Sequence, residues 1–272
     1  MNLDYFDKIW LSHEKDGMKN ADKMWDARAS EFNKMGKDER VDIIMGLLQE
    51  KDMLNHNSTV LDVGCGPGKI VLEFAKKARH VVGVDISPKM LEYAKENSVA
   101  AGFDNTEFKE MDWEAADLTA MGWNKKFSLV VGIMSPAFWS RIGLEKMIEA
   151  SNEYGMICHF VERQDSIGDE LRKEIFSDYK RDEFGSKGLY CSLNILWLYK
   201  LYPEISYFDT NRTEIRTVKE MAENFISKYE IRKGMTASQK DRVYSFLESK
   251  AVDGVIRDET KAKIACICWK SR

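Results

Sequence analysis

The sequence predicts a doubly wound α/β fold, in which a mostly parallel β-sheet carries helices on both faces. Short, wholly apolar runs alternate with helical patterns through the middle of the chain, and such strands are typical of parallel sheets that are buried on both faces. A glycine-rich turn joins the first apolar run to its helix. The 272 residues, 44% of them hydrophobic, can bury one large core, and no linker or repeat divides them.

Two amphipathic helices are expected before the first strand. Their apolar residues recur at steps of three to four, and Gly36 separates the two patterns. They are Met24, Trp25, Ala29, Phe32 and Met35 in the first helix, and Val41, Ile44, Met45 and Leu48 in the second. Residues 1–57 are therefore expected to form a helical N-terminal extension.

Strands and helices then alternate along the chain. Strands one to five are expected in TVLDVGC, HVVGVDI, TEFKEMD, FSLVVGIM and GMICHFVE. The helices between them are expected in KIVLEFAKKA, SPKMLEYAKENSVAAG, WEAADLTAM and LEKMIEASNE. In the second of these helices, Ser87 fits the N-cap, Pro88 the first turn, and Gly102 the position after the end.

The C-terminal part is expected to add two strands, in EISYFDTN and KAKIACICWK. Two helices should lie between them, and the first opens with a capping box from Thr217 to Glu220. The stretch between strands five and six is longer than the single helix that normally joins them. A helical insert is therefore expected at residues 165–203.

Charge and cysteine content narrow the range of partners. The formal charge of −4 and the pI of about 5.8 give no general attraction to polyanions, so neither nucleic acid nor a membrane is expected as a partner. The five cysteines are odd in number and form no CxxC pair, which disfavours a disulfide framework and a zinc site. With no secretion-signal pattern, a cytoplasmic protein without a bound metal is expected. The oligomeric state stays open.

The glycine-rich turn, LDVGCGPGKI, is the candidate site. In an open parallel sheet a ligand binds outside the carboxyl ends of the strands, where this turn lies. A triphosphate-binding loop needs GxxxxGK[ST], but Lys69 is followed by Ile70. A dinucleotide fingerprint needs a small residue five positions after Gly64, where the chain has Lys69. The chain therefore matches neither phosphate-binding pattern.

The same turn resembles motif I of the class I (Rossmann-like) methyltransferases that use S-adenosylmethionine. The resemblance rests on Gly64, Gly66 and Gly68, with Asp62 two residues before the first glycine. It implies S-adenosylmethionine as the cofactor, S-adenosylhomocysteine as the product, and backbone contact at Cys65. It also implies that residues 1–272 form one domain with a seven-stranded sheet of order 3-2-1-4-5-7-6.

Further residues follow the family's order. Asp85 ends the second strand, 21 residues after Gly64, where the family's acidic residue accepts the ribose hydroxyls. The other cofactor-binding residues implied by the resemblance follow strands two and three or end strand four. They are Ile86, Met90, Asp112, Trp113, Gly132 and Ile133. Asp112 would contact the adenine amino group with Trp113 beside the ring, but an Asp at this position also suits a helix cap.

Residues 1–57 are expected to act as a lid over the cofactor. The segment NADKMWDARASEF is similar to one that often precedes motif I in the family and folds over the ligand. Aromatic residues that look exposed, namely Tyr5, Phe6, Trp10 and Trp25, also lie near this chain end. Packing in the core is the alternative for Trp25 and Phe32.

Residues 165–203 are expected to form an acceptor cap. The second half of this insert carries a helical stripe of apolar residues that includes Trp197. Together with Phe138 and Trp139, the insert would enclose a small, apolar or planar acceptor. The alternative is that the stripe simply covers the sheet.

The resemblance predicts an enzyme that methylates a small-molecule acceptor, mainly by alignment and desolvation, because the sulfonium methyl is already activated. No catalytic residue is predicted; His159 and Glu162 near the end of strand five are candidate bases, and a core position is the alternative for His159. A protein or nucleic-acid methyltransferase is one alternative function, although the SPAF segment lacks the [N/D]PP[F/Y] of amino-group modifiers. A non-catalytic cofactor-binding module or an NAD-dependent dehydrogenase is the other.

Overall fold

The computed structural model describes residues 3–11, 21–35, 39–138, 140–177, 179 and 184–271. They divide into two compact units. The first unit comprises residues 1–159, 186–207 and 265–272, and the second comprises residues 160–185 and 208–264. Within the described part of the chain, no helix is both long and apolar enough to cross a membrane.

The strands form the predicted sheet. They are β1 (Thr59–Val63), β2 (His80–Asp85), β3 (Thr106–Glu110), β4 (Phe127–Ile133), β5 (Ser151–Asp165), β6 (Glu204–Thr217) and β7 (Val255–Lys270). Their order, β3-β2-β1-β4-β5-β7-β6, confirms the predicted doubly wound topology. The pairs β1–β2, β1–β4, β2–β3 and β4–β5 are parallel, so the carboxyl ends of these five strands share one edge. That edge positions the glycine-rich turn.

The described residues also form ten α-helices. They are α1 (Leu3–Leu11), α2 (Ala21–Lys34), α3 (Glu39–Glu50), α4 (Lys69–Ala75), α5 (Pro88–Ala100), α6 (Arg141–Ala150), α7 (Ser166–Ile175), α8 (Phe184–Leu198), α9 (Val218–Lys233) and α10 (Ala237–Lys250). As predicted, Ser87 caps α5 by accepting a hydrogen bond from the Met90 backbone N–H. The predicted capping box between Thr217 and Glu220 is also present, at the start of α9.

The N-terminal extension is helical, as predicted, but two of its aromatic residues are not exposed. Phe6 is fully buried and Trp10 is 2% exposed, because both pack into the main hydrophobic core of the first unit. Helix α1 packs on α6, where Asp7 accepts a hydrogen bond from Arg141 at 2.8 Å. The burial of these two rings is a finding that the sequence pattern alone did not predict.

One predicted helix is absent. The segment WEAADLTAM folds as turns, because aspartate side chains satisfy its backbone donors locally. Asp112 accepts hydrogen bonds from the backbone N–H groups of Glu114 and Ala115, and Asp117 accepts one from Ala120. Such side-chain acceptors stabilise turns in competition with a helix. The prediction of a helix here was therefore wrong.

The insert between β5 and β6 contains the two helices α7 and α8. Helix α7 belongs to the second unit, whereas α8 from residue 186 onward belongs to the first. Their buried residues accordingly lie in different hydrophobic clusters. Leu171 and Ile175 of α7 pack with residues of α9 and α10, whereas Cys191 and Ile195 of α8 pack in the main core of the first unit.

Candidate functional site

The glycine-rich turn occupies the carboxyl end of β1 and leads into α4. The backbone N–H groups of Gly64 and Cys65 both donate to the Val84 carbonyl of the neighbouring strand, at 2.8 and 3.0 Å. Gly64, Gly66 and Gly68 have φ values of 75°, 53° and 78°. This left-handed conformation is costly for residues with a Cβ, so the turn depends on glycine at all three positions.

Two of these glycines also allow close approach of other chain segments. A Cβ on Gly64 would lie 1.8 Å from the Ser135 hydroxyl oxygen, which follows β4. A Cβ on Gly68 would lie 3.0 Å from the Ala94 Cβ of helix α5. At Gly66, by contrast, the first neighbour of such a Cβ is the Met90 sulfur at 3.9 Å. The turn is therefore tightly packed at both ends and open at Gly66.

Asp85, at the end of β2, fixes the open part of the turn. One carboxylate oxygen accepts a hydrogen bond from the Gly66 N–H at 2.8 Å, and the other accepts one from the Ser87 N–H at 2.9 Å. Asp85 is 9% exposed, and burial raises its pKa, while these backbone donors act in the opposite direction. Each carboxylate oxygen has a further lone pair, so both remain able to accept a ligand hydroxyl.

Asp62, in β1, places a second carboxylate beside Asp85. It is 3% exposed and pairs in register with Gly83 of β2. Burial, and then the negative charge of Asp85, raise the pKa of Asp62 to about 7. Among the described residues, no cation forms an ion pair with either carboxylate. The site therefore carries buried negative charge, which fits a cationic ligand and opposes an anionic one.

The site also includes Cys65, within the turn, and two residues that follow β2, Ile86 and Met90. Cys65 is buried, and burial raises the pKa of its thiol well above the ordinary value, so it is not poised as a nucleophile. Ile86 is partly exposed directly after Asp85. Met90 is buried on the first turn of α5. The structure thus brings these three residues together with Asp62, Asp85 and the glycines at one edge of the sheet.

A polar contact that the sequence did not reveal ties α2 to this edge. Asp26 accepts hydrogen bonds from the Ser87 hydroxyl at 2.6 Å and from the Lys89 N–H at 3.1 Å. Asn97 of α5 donates both to Asn33 of α2 and to the Pro67 carbonyl of the turn. These partners lie about 30 to 64 residues apart, so no local pattern could have indicated them.

Asp112 and Trp113 follow β3 but differ in their surroundings. Asp112 is exposed and acts as the turn-stabilising acceptor described above. Trp113 is 3% exposed, and its indole N–H donates to the Gly143 carbonyl at 2.9 Å. The Trp113 ring is thus part of the main core, while the Asp112 carboxylate stays accessible at the site edge.

The end of β4 forms the opposite wall. Gly132 accommodates the ring of Phe138, since a Cβ there would lie 2.4 Å from two ring carbons. Ile133 is partly exposed, and Met134 beyond it has a φ of 54°. Ser135 contacts Gly64, a proximity that sequence analysis did not assign. Trp139, which was expected to help enclose the acceptor, lies outside the described residues.

His159 lies where β4 ends, one residue beyond the Ile133–Cys158 register pair. Its ring packs edge-on against Phe138, with centroids 5.2 Å apart, and burial lowers the pKa of His159 to about 4. At neutral pH it is therefore an uncharged core side chain. Glu162, the other candidate base, is exposed and belongs to the second unit.

Comparison with known proteins gives a family match over this region. Residues 54–172 match the family model described as a methyltransferase domain. The chain is 38% identical over 93 residues to the 23S rRNA (uracil(1939)-C(5))-methyltransferase RlmD of Shewanella sediminis, covering 34% of this chain and 21% of that protein. It is 37% identical over 67 residues to the mouse tRNA (uracil-5-)-methyltransferase homolog A, covering 25% and 11%. The chain thus spans about a fifth or less of these relatives.

A solved structure shares the fold. The YcgJ protein of Bacillus subtilis aligns with a TM-score of 0.51 and 16% identity, over 84% of this chain and 97% of that one. The matching domain, the sheet order and the glycine turn with its two carboxylates agree with one another. Residues 54–172 therefore match a methyltransferase domain, and the chain has the fold expected of the class I (Rossmann-like) S-adenosylmethionine-dependent methyltransferases.

Proposed function

We propose that this protein transfers the methyl group of S-adenosylmethionine to an RNA acceptor. The observation that carries the cofactor part is the pair of buried carboxylates, Asp62 and Asp85, at the carboxyl ends of adjacent strands. Their negative charge suits the sulfonium and ammonium groups of S-adenosylmethionine, which supplies a methyl group already activated for transfer. The acceptor part is supported by the named activities of the curated relatives.

Each residue of the edge has a role in this proposal. Asp85 accepts the ribose hydroxyls with the oxygen lone pairs that its two backbone donors leave free. The open turn at Gly66 lies under the methionine part, and Asp62 faces the cationic groups. Asp112 accepts from the adenine amino group. The remaining contacts are apolar or made by the backbone and involve Gly64, Cys65, Gly68, Ile86, Met90, Trp113, Gly132 and Ile133.

The expectation of a small-molecule acceptor and no nucleic-acid partner was wrong. The curated relatives are methyltransferases of ribosomal or transfer RNA by name, or are named RNA methyltransferases of unspecified substrate. The expectation rested on a net charge of −4, which averages over the whole chain. Because nucleic acid is bound through local patches, the average did not exclude an RNA substrate.

A dehydrogenase fits the site less well. A dinucleotide places its pyrophosphate against a glycine-rich turn and the following helix N-terminus. An acidic residue at the place of Asp85 occurs in both kinds of site, but Asp62 is a second buried carboxylate beside the turn, without a paired cation among the described residues, and it would repel that anion. The charge of the site therefore favours S-adenosylmethionine over NAD.

Alignment and exclusion of water are the proposed sources of catalysis. Holding an acceptor in line with an activated methyl group can be worth about 7 to 11 kcal/mol without a proton-transfer residue. His159 is buried and uncharged, and all five cysteines are buried as free thiols, so neither His159 nor a cysteine is poised as a base or nucleophile. Free thiols also suit the reducing cytoplasm, where we propose that the protein acts.

The test is to incubate the protein with methyl-labelled S-adenosylmethionine and total cellular RNA, then separate RNA from small molecules. We expect label in material that ribonuclease converts to nucleotides and short oligonucleotides. The Asp85→Ala variant should lose most of this label, whereas Tyr207→Ala, an exposed substitution on β6, should retain it. Label found only in ribonuclease-resistant material, or no label from a protein that binds S-adenosylmethionine, would contradict the RNA assignment.

A further inference from the structure

Helix α8 has one face in the core and one in solvent. Its buried face includes Cys191, Ile195 and Leu196, all within the main core of the first unit. On the opposite face, Tyr190 is 45% exposed and Trp197 is 60% exposed. These two residues are seven positions apart, which is close to two full helical turns, so their rings lie on one side about 10 Å apart.

Another exposed ring, that of Tyr202, follows the end of α8. Tyr202 is 54% exposed and packs edge-on against Trp197, with centroids 5.1 Å apart and an interplanar angle of 79°. Trp197 stays 60% exposed beside this contact, so part of its ring is open to a flat ligand. Asn194 places a side-chain amide between Tyr190 and Trp197 on the same side, and its amide nitrogen donates to the Tyr190 carbonyl at 2.7 Å.

The charge of this segment differs from that of the chain. Residues 184–203 contain two lysines, Lys187 and Lys200, and no aspartate or glutamate, although the whole chain has a net charge of −4. Lys187 is three residues before Tyr190 and therefore lies on its side of the helix. The segment thus combines exposed rings, an amide and positive charge, which is the composition that suits single-stranded nucleic acid.

Contacts within the first unit place α8 beside the site edge. The Ser192 hydroxyl lies 3.5 Å from the His159 Nε2, and Gly188 lies against the same imidazole. His159 in turn packs on Phe138, which covers Gly132 at the end of β4. The buried face of helix α8 therefore packs on β5 at the level where β4 ends, next to the edge that carries the glycine-rich turn.

We infer that the aromatic face of α8, defined as Lys187, Tyr190, Asn194, Trp197, Lys200 and Tyr202, binds a single-stranded segment of the RNA acceptor. Bases stack on the exposed rings, and the two lysines contact the phosphates. This inference rests on the proposed function. A second copy of this chain is a less suitable occupant, because self-association would bring two faces of equal positive charge together.

The experiment measures binding of a fluorescein-labelled single-stranded RNA of mixed sequence by anisotropy. Trp197→Ala should weaken binding about 5- to 150-fold, since loss of one stacked base typically has that effect. Trp197→Phe, which keeps a flat ring, should retain most of the affinity. Tyr207→Ala is the matched control: Tyr207 is equally exposed on β6 but outside the aromatic face, and binding should change less than twofold.

Adenosylhomocysteine affinity, measured on each variant, should stay at the wild-type value and shows that the fold is intact. If Trp197→Ala binds the RNA as tightly as the wild type, and the wild-type protein methylates RNA, this inference is overturned and the proposed function is not. A wild-type protein that binds adenosylhomocysteine but no RNA would overturn the proposed function with it. If the wild-type protein self-associates, and Trp197→Ala makes it monomeric without loss of RNA binding, the aromatic face binds a second copy of the chain instead.

Discussion

Two pairs of buried aspartates, one in each compact unit, have opposite electrostatic surroundings. In the second unit, Asp165 and Asp169 are 8% and 7% exposed, and Arg172 forms ion pairs with both. In the first unit, Asp62 and Asp85 are 3% and 9% exposed, without an ion-paired cation among the described residues. The two pairs are buried to a similar extent, and they differ in whether a cation forms ion pairs with them.

The pKa shifts show the consequence. Burial tends to raise the pKa of Asp165, but Arg163 and Arg172 outweigh it, and the pKa is lowered. Burial raises the pKa of Asp62 to about 7, and nothing offsets it. A compensated carboxylate stabilises the fold that contains it, whereas an uncompensated one lowers stability and gains its partner from a ligand. The comparison thus separates a charge cluster that stabilises the fold from the site proposed to bind the cofactor.

The largest expected effect follows from removal of the compensating charge. Arg172→Met should lower the free energy of unfolding of the second unit by about 3 to 5 kcal/mol, because Asp169 loses its ion pair and Asp165 keeps only the one with Arg163. Urea denaturation measures this. Lys250→Ala, which removes the more exposed ion pair with Glu170, is the control and should cost less than about 1 kcal/mol. Similar losses in both variants would remove the distinction between the two aspartate pairs.

The next effect concerns binding in the first unit. Asp85→Ala should weaken S-adenosylmethionine binding by about 1.5 to 3 kcal/mol, because charge-assisted hydrogen bonds to the ribose are lost. Calorimetric titration gives the affinity. Glu107→Ala, a surface carboxylate on the neighbouring β3, serves as the control and should bind as wild type. Unchanged affinity in Asp85→Ala would rule out the ribose contact.

A smaller effect is expected from the contact between α2 and the site. Asp26→Ala removes an acceptor at the N-terminus of α5 and should lower the free energy of unfolding by about 0.5 to 2 kcal/mol. If residues 1–57 act as a lid, adenosylhomocysteine should also increase hydrogen-exchange protection of α2 in the wild type, and less so in the variant. Equal protection with and without the ligand would identify α2 as a fixed structural helix.

The sheet and the glycine turn could be predicted from the sequence because their signals are short-range. Apolar runs, a cap at Ser87 and glycines with positive φ act within a few residues of where they occur. The turns after Asp112 were mispredicted because helical periodicity and turn-forming aspartates compete in the same segment. Burial of Phe6, and the Asp26 contact, depend on distant partners that one sequence does not reveal.

The raised pKa of Asp62 makes both the free energy of unfolding and the cofactor affinity depend on pH. Its pKa is higher in the folded state than in the unfolded state, so between about pH 4 and 7 the folded state binds more protons. The free energy of unfolding should therefore fall as pH rises through this range. A bound cation lowers the pKa of Asp62, so binding favours the ionised carboxylate. The affinity for S-adenosylmethionine should therefore rise from pH 6 to 8.

The most direct measurement is calorimetric titration of S-adenosylmethionine at pH 7 in two buffers with different ionisation enthalpies, which yields the number of protons released on binding. Since the pKa of Asp62 is about 7, half of the free protein carries this proton, and the wild type should release about half a proton more than Asp62→Asn. Equal proton release by the two proteins would contradict the claim that the buried, uncompensated carboxylate at Asp62 receives the cationic cofactor.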